Sequence, residues 1–105
     1  MTEVTTHVLD TAAGRPAAGM PVALHGREED GRWTELGAAI TDADGRAGKL
    51  AGERKVTPGL YRLVFGTATP FFDEVIVSFR VTGEDARLHI PLLLSPYGYS
   101  VYRGS

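Results

Sequence analysis

Two histidines and one arginine are the side chains best suited to chemistry near neutral pH: His7, His89 and Arg46. A neutral imidazole can accept or donate a proton close to pH 7. Arg46 directly follows the turn sequence Asp-Ala-Asp-Gly, and an arginine presented from a tight turn can offer its planar fork to a carbonyl or carboxylate. The alternative for all three residues is a solvated surface position with no chemical role.

Strand alternation predicts that both histidines point away from the core. The even-numbered residues around His89 are apolar and share one face, which leaves His89 on the other face with Leu93. His7 likewise shares a face with Leu9, opposite a stripe rich in β-branched residues. Leucines beside histidines on an outward face suggest that a partner subunit covers it. His25, next to a glycine near the end of its segment, is predicted to be an edge residue.

Several other kinds of site find no support in the sequence. The chain has no cysteine, which excludes thiolate catalysis and cysteine-ligated zinc, and it lacks a P-loop, a dinucleotide-binding fingerprint and an HExxH motif. Asp42-Ala-Asp44-Gly45 resembles the start of a calcium loop without its later ligands, so it is interpreted as a hairpin turn. Asp10 has the opposite parity to His7, which argues against a shared metal. We therefore expect no metal and no cofactor.

The periodicity of the chain is close to two throughout, which predicts an all-β sandwich or barrel. The only helix candidate is a single turn in residues 69–75. The length of 105 residues fits one domain spanning residues 1–105. The predicted strands occupy residues 3–10, 20–27, 32–41, 46–52, 59–67, 73–81, 86–94 and 97–104.

Charge and hydropathy limit the partners and the location. A net charge of −2 gives no strong electrostatic case for nucleic acid or an anionic membrane. Glu3 stands where a signal peptide would carry basic residues. No stretch approaches the ~18 apolar residues that a membrane span needs. We expect a cytoplasmic protein.

Three segments together resemble the 5-hydroxyisourate hydrolases, the transthyretin-related proteins of purine catabolism. They are THVLDTAAGRPAAGMPVAL (6–24), TDADGRAG (41–48) and IPLLLSPYGYSVYRGS (90–105). The resemblance extends from about Val4 to Ser105, nearly the full length. The ending YRGS is typical of these hydrolases and distinguishes them from transthyretin proper.

The resemblance implies a transthyretin-like β-sandwich of two four-stranded sheets. It also implies a homotetramer with active sites in a channel where the outer faces of two dimers meet. Relatives carry a short helix between the fifth and sixth strands. Here the connection through residues 66–74 is short, so we expect that helix to be reduced or absent, with activity retained.

The resemblance further implies the reaction and its residues. The activity would be the metal-independent hydrolysis of 5-hydroxyisourate to 2-oxo-4-hydroxy-4-carboxy-5-ureidoimidazoline, without a cofactor. Either histidine can serve as general base, with a slight preference for His7. The alternative is a transthyretin-like carrier of a small molecule without hydrolase activity. The implied catalytic residues are His7, Arg46 and His89, and the implied substrate contacts are His7, Arg46, Tyr102, Arg103, Gly104 and Ser105.

Parity in residues 97–105 predicts a final strand whose end is fixed in place. Arg103 and Ser105 share one face, whereas Tyr102 and Gly104 share the other. We expect added residues beyond Ser105 to impair activity more than stability.

Overall fold

Alternating apolar and polar residues form nine β-strands in the computed structural model, which describes residues 1–105 and contains no helix. The all-β prediction is therefore confirmed. The predicted and observed strands differ mainly at their ends, and one additional two-residue strand lies in the Gly- and Pro-containing segment 11–19. The strands are β1 (Glu3–Asp10), β2 (Arg15–Pro16), β3 (Pro21–Arg27), β4 (Trp33–Ile40), β5 (Arg46–Ala47), β6 (Gly59–Phe65), β7 (Val75–Val81), β8 (Arg87–Ser95) and β9 (Gly98–Val101).

The first sheet is built around a parallel pair formed by β1 and β8. The two strands pair over their whole common length, from Glu3 opposite Arg87 to Asp10 opposite Leu94. Strand β9 pairs with the free edge of β8. On the other edge of β1, β5 pairs with one half of the strand and β2 with the other. Because β2 and β5 share this edge, the sheet is four strands wide, as expected.

The second sheet has the order β4-β3-β6-β7 and is antiparallel throughout. A β-bulge interrupts the pairing of β3 with β4 between Leu24 and His25. His25 thus lies in a central strand, opposite Arg62 of β6 on one side and Glu35 of β4 on the other. The prediction that His25 is an edge residue was wrong, because β6, which is distant in the sequence, pairs with β3 on the side away from β4.

The inner faces of the two sheets share one apolar core of eighteen buried residues. Among its fully buried side chains are Leu24, Phe65 and Leu92. Leu50 joins them from the loop after β5, since the strand predicted for residues 46–52 ends at Ala47. A Cβ on Gly37 would lie 2.1 Å from the Leu50 carbonyl oxygen, so only glycine permits this close approach.

The connection between β6 and β7 contains no helix, which confirms the expectation of a reduced or absent helix there. The single helical turn predicted for residues 69–75 is also absent. Instead, the Thr69 hydroxyl oxygen accepts hydrogen bonds from the amides of Phe71 at 3.2 Å and Phe72 at 2.6 Å. This local turn competes with helix formation. The protein has no helix with the length and apolar character needed to span a bilayer.

Candidate active site

His7 lies on the outer face of the first sheet, as parity predicted. Its flanking residues Thr6 and Val8 are buried, whereas His7 itself is half-buried. The Nε2 atom of His7 lies 2.9 Å from the carbonyl oxygen of Asp44. A carbonyl oxygen can only accept, so Nε2 must carry the hydrogen and donate it. In the neutral ring, Nδ1 is therefore the nitrogen that can accept a proton.

Arg46 is placed beside His7 by the turn that precedes it. Asp42 Oδ1 accepts hydrogen bonds from the amides of Asp44 at 2.9 Å and Arg46 at 3.0 Å. Gly45 has φ +75°, and a Cβ there would lie 2.3 Å from the Val8 carbonyl oxygen. These contacts fix β5 against β1 with Arg46 directly opposite His7. The turn interpretation of this segment is confirmed.

The charge of Arg46 is available to a ligand. None of the ion pairs in the protein involves Arg46, so no carboxylate lies within 4.0 Å of its guanidinium. Its side chain is exposed on the same outer face as His7. An unpaired guanidinium can donate two parallel hydrogen bonds to a carbonyl or carboxylate.

His89 completes a group of three polar side chains. Parallel pairing sets it opposite Thr5, whose hydroxyl lies 2.8 Å from His89 Nδ1. The imidazole rings of His7 and His89 have centroids 6.4 Å apart. A cleft of about 200 Å³ is lined by Thr5, Arg46 and His89, together with Arg87. Its size suits a small polar ligand rather than a macromolecule.

Burial and positive neighbours hold the pKa of His89 below its ordinary value. Desolvation is the largest cause, followed by the positive charge of Arg46 and then by His7 and Arg87. Both effects disfavour the charged imidazolium. The lowered pKa favours the neutral form of His89 at pH 7. A neutral imidazole is the form that acid–base chemistry requires at this pH.

The C-terminal segment lies alongside β8 and packs against His89. The Gly104 amide donates a 2.7 Å hydrogen bond to the His89 carbonyl oxygen. A Cβ on Gly104 would lie 2.7 Å from His89 Cδ2, so the segment approaches the ring too closely for any larger residue. Tyr102 is about half exposed, and its parity gives it the same outer face as Gly104. Ser105 follows as an exposed residue.

The Arg103 side chain is not in this group. Its Nη2 atom lies 2.9 Å from Asp85 Oδ1, and it lines a cleft between the two sheets with Leu88 and Ile90. The structure thus brings together His7, Arg46, His89 and Gly104, with Tyr102 on the same face. It directs Arg103 to the opposite side of the C-terminal segment.

Two side chains of the cleft were not singled out from the sequence. Thr5 hydrogen-bonds His89, and Arg87 lines the cleft and helps to lower the His89 pKa. A parity argument could have found both, because each lies two residues before a histidine and so shares its face. Only the pairing of β1 with β8 shows that the Thr5 hydroxyl contacts His89 rather than His7.

A larger cavity on the other sheet has a mostly apolar lining. It has a volume of about 440 Å³ and lies over β3, β4 and β6. Alanine, valine and isoleucine dominate its lining, and Glu35 is its only charged residue. It contains neither a histidine nor an arginine, so we place the candidate site at the smaller cleft.

Comparison with known proteins identifies the family. The HIUase/transthyretin family model matches residues 4–104. This chain belongs to the HIUase/transthyretin family. The chain is 46% identical to the 5-hydroxyisourate hydrolase of Caulobacter vibrioides, with both chains covered completely. It is 47% identical to that of Mesorhizobium japonicum, covering 97% of this chain and 91% of the relative.

Solved structures of two family members share the fold. The Klebsiella pneumoniae 5-hydroxyisourate hydrolase superposes with a TM-score of 0.85 at 30% identity, with full coverage of both chains. Sea bream transthyretin, solved in complex with thyroxine, superposes with a TM-score of 0.88 at 29% identity, covering 96% of this chain and 93% of its own. These two values confirm the transthyretin-like sandwich, but they do not distinguish a hydrolase from a carrier.

The lowered pKa of His89 leads to a titration prediction. In the wild-type protein the His89 midpoint should lie below 6.5, and Arg46→Gln should raise it by removing a nearby positive charge. Because burial is the larger cause, the midpoint should stay below 6.5 in the variant. Histidine proton chemical shifts followed by NMR between pH 4 and 8 would measure both midpoints.

Arg32→Gln provides the control, because Arg32 is paired with Asp30 in the turn between β3 and β4. It should leave the His89 midpoint unchanged.

The lowered pKa of His89 also predicts how the free energy of unfolding depends on pH. His89 binds a proton more readily in the unfolded chain than in the folded protein. Its stabilisation of the folded state is therefore complete above pH 6.5 and is lost as the pH falls through the lowered pKa of the folded protein. A wild-type midpoint at or above 6.5 would contradict the lowered pKa and the causes assigned to it.

Proposed function

We propose that this chain, acting as a single domain of residues 1–105, hydrolyses 5-hydroxyisourate to 2-oxo-4-hydroxy-4-carboxy-5-ureidoimidazoline in urate catabolism. The observation that carries the proposal is the grouping of two imidazoles and an unpaired guanidinium on one sheet face, with ring centroids 6.4 Å apart. Relatives between 41% and 47% identical over nearly all of this chain are named for that activity.

His7 is the general base in the proposed mechanism. Its Nε2–H is committed to the Asp44 carbonyl oxygen, which leaves Nδ1 to take a proton from water. The resulting hydroxide oxygen bonds to a ring carbonyl carbon of the substrate. Arg46 lies opposite His7 and stabilises the negative charge that develops on the attacked carbonyl oxygen.

His89 is the neutral hydrogen-bond donor that orients the departing ring nitrogen. The Thr5 hydroxyl donates to Nδ1 in the tautomer we assign, so Nε2 carries the hydrogen. As the ring C–N bond breaks, the nitrogen takes the proton that His7 removed from water, and the carbon becomes the carboxyl carbon. His7 is neutral again after this transfer, and His89 keeps its proton throughout. These steps use water and side chains, with no metal or cofactor.

The C-terminal segment orients the substrate in this proposal. Tyr102 and Gly104 face the same side as His89, and exposed Ser105 follows them. Fixed donors and acceptors around a planar, polar ring reduce the entropy lost in reaching the reactive geometry. Tyr102, Gly104 and Ser105 therefore remain predicted substrate contacts.

A transthyretin-like carrier is the alternative function. The similarity to a thyroxine-bound transthyretin supports the shared fold. Two half-buried histidines and an arginine, however, make this outer face polar. Burying unpaired polar groups against an apolar ligand is costly. The hydrolase is therefore the favoured function.

We also propose a homotetramer with the active sites between two dimers. Leu9 and Leu93 lie beside the histidines on the outer face of the first sheet, where a second dimer would cover them. Such coverage would bring a second copy of the histidine-bearing face over the cleft and exclude water from it.

Two open sheet edges support the dimer within that assembly. Strands β7 and β9 end their sheets, and no other strand pairs with their outer edges. Unpaired edge strands are templates for pairing with another chain. Aromatic rings lie close to these two strands: the exposed Phe71 ring lies 6.3 Å from that of Tyr97, and the half-buried Phe72 ring lies 5.2 Å from that of Tyr99.

A cytoplasmic location remains part of the proposal. The chain has no cysteine and therefore no need of an oxidising compartment for disulfide formation. Cell fractionation with an antibody against the native protein would test this location.

The function can be tested by following 5-hydroxyisourate, generated in place from urate and urate oxidase, through its ultraviolet decay. The protein should accelerate that decay strongly. Alanine at His7, Arg46 or His89 should lower turnover by about 10²-fold or more, because each loses an acid–base or charge-stabilising group. No acceleration by the folded wild-type protein would contradict the proposed function.

The second sheet offers a matched control for these variants. His25 and Arg62 form a hydrogen-bonded histidine–arginine pair, 3.0 Å apart, on the opposite side of the sandwich. His25→Ala and Arg62→Ala should retain activity within about threefold of wild type once folding is verified by circular dichroism. Equal losses in both sets of variants would overturn the assignment of the site.

The tetramer makes a separate prediction. Sedimentation equilibrium should give about 45 kDa, four times the chain mass of 11.3 kDa. Leu93→Glu should lower that mass and the activity together, because it places a charge in the proposed contact between dimers. Ile40→Glu, at an exposed position on the other sheet, is the control and should change neither. Full activity from an 11.3 kDa species would contradict the assembly.

A further inference from the structure

The C-terminal segment is attached to the sheet by few backbone contacts. Beyond the end of β9 at Val101, the Tyr102 amide donates to the Pro91 carbonyl oxygen at a long 3.4 Å, and the Gly104 amide donates to that of His89 at 2.7 Å. A segment with so few backbone hydrogen bonds opens locally more readily than a core strand. A further restraint would therefore help to keep this segment against the His89 ring.

The side chain of Arg103 supplies that restraint. Alternation along the segment directs it away from the face that carries Gly104 and the histidines. Its guanidinium instead reaches Asp85, with 2.9 Å between Nη2 and Oδ1, in the loop before β8. An arginine that contacted the substrate would have to leave this ion pair and cross to the other face.

Asp85 is itself well anchored. Its carbonyl oxygen accepts a 2.6 Å hydrogen bond from the hydroxyl of Thr2, which is completely buried. The next residue, Ala86, accepts a 2.9 Å hydrogen bond from the amide of Glu3. The start of β1 thus fixes the loop, and the loop presents a carboxylate to Arg103 at a defined place.

We propose that Asp85 is a positioning residue, which fixes the C-terminal segment against His89 through its ion pair with Arg103. The inference rests on the proposed hydrolase function and gives Arg103 a role other than direct substrate contact. Position matters here because a Cβ on Gly104 would lie only 2.7 Å from the His89 ring and 3.3 Å from Pro91. A displacement of the segment moves Tyr102 and Ser105 away from the substrate and uncovers His89.

Neutralising the carboxylate is the first test. Asp85→Asn should lower kcat/KM about three- to fivefold, the range expected for the loss of a partly exposed ion pair, with Tm within about 2 °C of wild type. Asp30→Asn breaks an ion pair of the same type with Arg32, 2.7 Å apart and remote from the site, and should leave kcat/KM unchanged. Equal kcat/KM in Asp85→Asn and wild type would overturn the inference.

Exchanging the charges separates positioning from substrate contact. Arg103→Asp alone places two carboxylates together and should reduce kcat/KM by more than Asp85→Asn. The double variant Asp85→Arg/Arg103→Asp restores an ion pair and should recover at least half of the wild-type value. If Arg103 contacts the substrate, the double variant will remain as impaired as Arg103→Asp alone, which would overturn the proposal.

Amide hydrogen exchange tests the same inference without an activity measurement. The Gly104 amide should exchange several times faster in Asp85→Asn than in wild type, whereas the core amide of Leu92 should not change. Unchanged exchange at Gly104 would overturn the positioning role even in an inactive protein. Failure of wild type to turn over 5-hydroxyisourate, with exchange as expected, would count against the proposed function alone.

Discussion

The parallel pairing of β1 with β8 is the interaction on which the candidate site depends. Its register sets Thr5 opposite His89 and His7 opposite Pro91, so both imidazoles emerge on the outer face. A slip of one residue in either strand would send its histidine into the core and its apolar stripe into solvent. The burial of Val8 and Leu92 therefore fixes the positions of the reactive groups as well as the fold.

The electrostatics of the site follow from this placement. His89 is half-buried on the outer face, with the exposed Arg46 and Arg87 beside it. A charged imidazolium is unfavourable in such surroundings, so the pKa of His89 is lowered. The fixed guanidinium charge of Arg46 and the neutral His89 ring are then available together at pH 7. That combination suits attack by water on a carbonyl group, because the oxyanion has a cation beside it.

Much of this arrangement could be predicted from local sequence, because alternation and turn chemistry are local properties. The outward directions of His7 and His89, the extent of β1 and the turn before Arg46 follow from neighbouring residues. Long-range pairing could not be predicted in this way. The central position of His25 depends on β6, and the Asp85–Arg103 ion pair depends on how the loop before β8 meets the end of the chain. The absent helical turn reflects the Thr69 hydroxyl, which forms the competing turn.

The central claim is that His7 and His89 act as one unit on a shared face, and a double-mutant comparison tests it most directly. The kcat/KM for 5-hydroxyisourate would be measured for His7→Ala, His89→Ala and the double variant under identical conditions. If the two rings serve the same step, the kcat/KM of the double variant should lie within about threefold of the less active single variant. The total loss relative to wild type would then stay near 10²-fold. Independent, multiplicative losses that reach about 10⁴-fold would contradict the claim that the two rings act together.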